Sequence, residues 1–317
     1  MPEIVRIILI ILTSGLPCAL LALGIFLTFR LLDFADLTAE GSFLIGGVTT
    51  VTMIVNGANP IVATLMSLLA GAACGFITGI LNTKLKIPKL LSGIITMTAS
   101  ASITMIIMGT SVKGRSFVNL ITLGSNDKTI YSLITVPNQM RMVLETGIMA
   151  VVVILVIIAL YFFFGTEYGM AIRATGMNAK MARANGINTN IATIICVSLS
   201  NAIIGLAGSL FAQDMRSMDV GGAAGFLVIG LASILIGEAI FGKRNFKNWL
   251  ISVALGAIVY FIIVQLALYL GFPTELKNLL YAILITIALC IPLMKMGFKN
   301  LKNKIHDRFA RKEVTAQ

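Results

Sequence analysis

Met149-Ala-Val-Val-Val-Ile-Leu-Val-Ile-Ile-Ala-Leu-Tyr-Phe-Phe-Phe164 contains no charge, no proline and no glycine. With the residues before it, the stretch forms an apolar run over 143–164, close to the ~20 residues a helix needs to cross a hydrocarbon layer. The run is too long for a strand and has no turn chemistry in its second half, so a membrane-spanning helix is predicted. Outward from it, similar runs occupy 7–29, 43–55, 61–82, 90–109, 190–212, 225–241, 249–270 and 278–295. The whole 317-residue chain is 58% hydrophobic and 12% charged, with a mean hydropathy of +0.98. A soluble domain is about 45–50% apolar and about a quarter charged. These values exclude a soluble enzyme, a secreted disulfide scaffold and any sizeable extramembrane domain. The expectation is an all-α integral membrane protein, a polytopic bundle of about eight to ten spans. The run at 43–55 is short for a crossing, which points to a broken or re-entrant helix.

The net charge is +11, but its placement speaks against a nucleic-acid partner. With the C-terminus cytoplasmic and all nine runs crossing, seventeen lysines and arginines fall inside and seven outside. That asymmetry is the positive-inside pattern, with membrane lipid as a secondary contact. Residues 1–295 then form the transmembrane domain and 296–317 a basic cytoplasmic tail. Leu16-Pro17-Cys18 does not fit a lipoprotein cleavage site, because Pro17 stands where a small residue is needed and the apolar run continues to Phe29. A retained first span is expected. The four cysteines lie in apolar runs, and the single histidine, His306, lies in the tail. Neither a metal centre nor a catalytic residue is expected.

Laid on itself with an offset of 183, the chain aligns Asp36 with Asp219, Phe43 with Phe226 and Gly47 with Gly230. The offset covers five crossings, as an inverted repeat requires. Chance matching between leucine- and glycine-rich spans explains the same coincidences. Gly71, Gly75 and Gly79 form a smooth ridge suited to close helix packing. Thr96, Thr98, Ser100, Ser102 and Thr104 alternate like a strand, but the length of the run argues for a helix on which some hydroxyls line a pathway. Glu238 is an acid within an apolar run, and Lys243 and Arg244 nearby place it at the cytoplasmic end, as an ion-pair partner or a gate. Gly237-Glu-Ala-Ile-Phe-Gly242-Lys243-Arg244 approaches a phosphate-binding loop, but Arg244 replaces the hydroxyl that holds magnesium and no strand precedes it.

Between the fifth and sixth runs lies Gly165–Thr189, read as two short helices with a glycine break at Gly176. Asn178 is its N-cap and Gly186 its C′ residue. The second helix would present Met181 and flanking alanines as an apolar knob rimmed by Lys180 and Arg183; a solvated basic loop is the alternative. Ala174-x-Gly176-x-Asn178-x-x-x-Ala182-x-x-x-Gly186-Ile-Asn resembles the cytoplasmic loop of permease subunits in the branched-chain amino acid and ribose family of bacterial ABC importers. Phe34-Ala-Asp36-Leu-Thr-Ala-Glu-Gly41-Ser and Gly230-Leu-Ala-Ser-Ile-Leu-Ile-Gly237 resemble two further motifs of that family, in the same order. The Asp36-Leu-Thr variant is similar to the subgroup serving tryptophan or related aromatic amino acids.

The resemblance implies a permease of the bacterial cytoplasmic membrane that forms a dimer around a central pathway. An extracytoplasmic solute-binding protein would deliver the solute, and separate ATPase subunits would carry ATP and magnesium, with no cofactor on this chain. Arg173, Ala174, Gly176, Asn178, Met181, Ala182 and Gly186 would couple to the ATPase. The late loop, reduced here to Gly242-Lys243-Arg244, departs from the family pattern. Pathway or gate candidates are Asp36, Thr98, Ser102, Asn201, Asp219, Glu238 and Gln265. An amino acid is the expected solute; sugars and nucleosides suit such spans equally. An ion-coupled transporter stays open as a rival, though acids are scarce and lie near span ends. A membrane enzyme would need a reactive cluster that the sequence does not show.

Overall fold

A computed structural model describes residues 3–110, 117–124, 127–133 and 138–271, together with Leu279, Ala282, Ile283 and Thr286. Apart from those four residues the expected last span over 278–295 lies outside the described residues, as does the whole tail over 296–317. The described residues are mostly helical: α1 (Glu3–Phe26) runs into a π-turn (Leu27–Leu31), followed by α2 (Thr38–Val55), α3 (Pro60–Thr83), α4 (Lys89–Gly109) and α5 (Asn138–Phe163). Two short helices, α6 (Glu167–Met177) and α7 (Ala179–Ala184), precede α8 (Thr189–Met215), α9 (Phe226–Phe241) and α10 (Phe246–Tyr269). Seven of these segments are long and apolar enough to cross a membrane; α9 is shorter, at 16 residues. The chain is therefore a multi-pass membrane protein.

The second helix corrects the sequence reading. It is an unbroken 18-residue helix that begins five residues before the expected run. The polar start Thr38-Ala-Glu-Gly-Ser42 depresses hydropathy, but the fold gives Thr38 partners through both its N–H and its hydroxyl. Asp36 Oδ1 accepts the Thr38 N–H at 2.9 Å, and the Thr38 hydroxyl bonds Thr78, which in turn donates to Thr96. The alternating hydroxyls of 96–104 lie on a helix, as expected: Thr96, Ser100 and Thr104 are buried, and Thr98 and Ser102 exposed. Asn59 accepts the Ile61 N–H to start α3, with Pro60 in the first turn, where a missing N–H costs nothing.

Helix α8 is the hub. The glycine ridge of α3 lies on it so closely that a Cβ on Gly71 or Gly75 would overlap the Asn201 or Val197 carbonyl oxygen. Thr50, Ser209, Thr64 and Gln213 add a buried hydroxyl and amide chain between α2, α8 and α3. Helices α9 and α10 pack on each other and on α1, much as α2 and α3 pack on each other and on α8. The halves α1–α3 and α8–α10 thus exchange their supports, each pair lying on the leading helix of the other. That pattern matches the 183-residue offset.

One small sheet was not foreseen. β1 (Leu120–Thr122) pairs antiparallel with β2 (Ser217–Asp219), in register Leu120↔Asp219. Beside it Tyr131 donates to the Leu210 carbonyl, and burial pushes its phenol up.

Candidate functional site

The segment between α5 and α8 is built from local caps. The Thr166 hydroxyl accepts the Gly169 N–H to start α6. Asn178 is extended (φ −156°), and its Oδ1 accepts the N–H groups of Lys180 and Met181, both at 3.1 Å, to start α7. Gly186 has φ +81°, its N–H bonds Arg183 O at 3.0 Å, and Ile187 N–H bonds Ala182 O at 3.0 Å. That pair of bonds is a Schellman ending, which a side chain at Gly186 would strain. Asn188 then caps α8 by accepting from Asn190 and Ile191.

The hinge is displaced from its expected position. Gly176 lies inside α6, and the break falls at Asn178. What requires glycine at 176 is proximity: a Cβ there would overlap the Leu31 carbonyl oxygen at the end of the π-turn. The expected coupling residues divide by direction. Met181 is 58% exposed and Asn178 and Gly186 are also exposed, whereas Ala182 is buried. Met177, which the sequence reading passed over, is 90% exposed. Arg173 turns inward, donating to Phe164 O at 2.8 Å and lying 5.3 Å from the Phe246 ring centre. Ala174 lines an apolar cleft of about 570 Å³ beside Tyr168 and Ile191.

Glu238 forms an ion pair, with Arg30 at 2.5 Å rather than with Lys243 or Arg244. Trp249 Nε1–H donates to its other oxygen at 2.8 Å. The chain turns at Gly242 (φ +74°), and Lys243 lies 5.9 Å from the Trp249 ring centre instead. Arg30 lies beside the π-turn end that Gly176 touches, so the short-helix segment and this pair meet at the end of α1.

Of the pathway candidates, only Asp36 and Asn201 come together. Asn201 is fully buried and donates to Asp36 Oδ2 at 2.7 Å and to Val197 O. Burial pushes the Asp36 carboxyl up, against the lowering hydrogen bonds of Thr38 and Asn201. Gln265 is half-buried on α10. Asp219 is exposed at the end of β2, where its carboxylate accepts the Gly222 N–H. The sequence reading missed Glu40, a half-buried acid in the first turn of α2 whose Oε1 accepts the Gly225 N–H at 3.0 Å, just ahead of α9. An acid at the start of an apolar helix was the available signal. Among the described residues, no three His, Cys, Asp or Glu side chains gather to hold a metal.

The family model described as the permease component of branched-chain amino acid transport systems matches residues 7–289. The chain belongs to this family. It is thus a permease component of an ABC importer family, a transport subunit and not an enzyme. The permease is 32% identical to a tyrosine transport system permease protein of Clostridioides difficile, over 96% of this chain and 98% of that one. It is 29% identical to the galactofuranose transporter permease protein of Escherichia coli over 89% and 78%. To the ribose import permease protein of the same organism it is 22% identical over 86% and 81%. No solved structure gives a significant match.

Proposed function

We propose that this permease imports an aromatic amino acid across a bacterial cytoplasmic membrane, as a homodimer served by an extracytoplasmic binding protein and driven by separate ATPase subunits that carry ATP and magnesium. The observation that carries the amino-acid reading is the near end-to-end similarity to the tyrosine permease, which exceeds that to the sugar permeases in identity and coverage.

The 165–189 segment is the ATPase contact in this reading. Its exposed Met177 and Met181 offer flexible apolar side chains of the kind that seat in a partner's groove, while Gly176 packs on the π-turn after α1, Arg173 lies on Phe246 of α10 and Arg183 donates to Thr189 at the start of α8. Arg30, Lys86, Lys89, Arg173, Arg183, Lys243 and Arg244 surround two clefts on this same face, which supports its cytoplasmic orientation and, after the remaining span, a cytoplasmic C-terminus. Movement of α6 would pass through Gly176 to the π-turn and the Arg30–Glu238 pair.

Proteoliposomes holding the permease, its ATPase and its binding protein test this directly. Tyrosine or tryptophan uptake that needs internal or external ATP on the ATPase side and survives collapse of proton and sodium gradients is expected. Delivery of ribose or galactofuranose in place of amino acids would overturn the solute assignment, and uptake driven by an ion gradient alone would overturn the ATPase coupling.

A further inference from the structure

Glu40 is the residue that the helix it sits in least explains. Its neighbours Thr38, Ala39, Gly41, Ser42, Phe43 and Leu44 are buried, while Glu40 keeps part of its surface open. Gly41 packs against Met97 and Ser100, which flank the middle of the 89–109 helix α4. Glu40 therefore stands near mid-depth of the bundle, where a carboxylate is costly and needs a counter-charge. Among the described residues the ion pairs are Arg30–Glu238 and Arg141–Glu145, so neither uses Glu40. One oxygen, Oε1, holds the Gly225 N–H, and no bond among the described residues engages Oε2.

The surroundings are specific. One turn on, Phe43 stacks on Phe226, the first residue of α9, with ring centres 4.5 Å apart, and Phe211 lies 5.1 Å from Phe226. The chain leading to Gly225 is Gly221-Gly-Ala-Ala, with Gly221, Gly222 and Ala224 exposed, so no bulky side chain from that segment covers the carboxylate. Discontinuous helices that start near mid-membrane, at the junction of two halves, are where transporters place solute contacts.

We propose that Glu40 receives the α-ammonium group of an amino-acid solute as it passes mid-membrane, with the half-buried Phe211 and Phe226 rings, backed by Phe43, bordering an aromatic side chain. A transient ammonium supplies the cation that the described residues do not, and a neutral sugar would gain nothing from the charge. This rests on the amino-acid reading above.

The test uses the purified permease in nanodiscs, so that the binding protein's own selectivity does not enter. Radiolabelled tyrosine is displaced by tyramine, which keeps the ammonium, or by 3-(4-hydroxyphenyl)propionate, which lacks it. Tyramine is expected to compete at least tenfold better, the loss that follows removal of a charge-assisted hydrogen bond. Glu40→Gln keeps an acceptor for Gly225 and is expected to erase that preference; Glu40→Asp keeps the charge and should retain it. A wild-type permease that binds no tyrosine or treats the two competitors alike overturns the proposal, as does a Glu40→Gln protein with undiminished preference. If the complete importer carries sugars and not tyrosine, the amino-acid reading itself fails; tyrosine uptake without the tyramine preference sinks only the role of Glu40.

Discussion

Leu31 O and Gly176 are in contact without room for a methyl group, and this contact links α6 to the bundle. Gly176→Ala should therefore push α6 off the π-turn. The expected outcome is a permease that still binds its ATPase through α7 but no longer raises ATPase turnover, measured by co-purification and phosphate release on the same sample. Glu238→Gln leaves Arg30 partly buried without its anion, a change costing about 3 kcal/mol, the low end for a pair shielded from water, because Arg30 keeps 30% of its side chain exposed. Thermal unfolding in detergent should fall for Glu238→Gln and recover in part with Arg30→Gln added. Sequence reading identified Glu238 as an ion-pair candidate at the cytoplasmic end but named no partner. The true partner stands 208 residues away, a separation over which no local pattern operates.

Helix caps were the most legible elements. Asn178 and Gly186 fall where their side-chain oxygen and positive φ place them, since capping chemistry is written within three or four residues. Asn178→Ala removes an acceptor for two N–H groups and should cost about 1 kcal/mol of α7 stability, seen as weaker ATPase binding with unchanged folding of the transmembrane helices by circular dichroism. Met181→Asp is expected to lose that binding with α7 intact. The start of α2 was illegible to hydropathy, because Thr38 and Ser42 look like loop residues until Asp36, Thr78 and α8 supply their surroundings. Glycine at 176 was visible, but its reason was not: proximity to Leu31 belongs to tertiary packing and leaves no mark in local spacing.

At the scale of the molecule, length and apolar periodicity already contained the polytopic helical bundle, and the offset of 183 reappears as two triplets of helices that cross-support one another. The polar network of Asp36, Asn201, Thr38, Thr78 and Thr96 shows why the candidate pathway was harder to read: a hydroxyl or amide in an apolar run serves helix contacts as readily as solute, and only burial separates the two. The cations gathered around α6, the 84–89 turn and the 242–245 turn give the bundle one strongly basic end, the end at which an ATPase would act. The most direct measurement of that claim is solute uptake into proteoliposomes containing permease, ATPase and loaded binding protein, compared between wild type and Met181→Asp. ATP-dependent uptake is expected in the wild type and lost in the variant, with both permeases equally folded; undiminished uptake by the variant, or full-rate uptake with no ATPase present, would overturn the ATPase role of this end of the bundle.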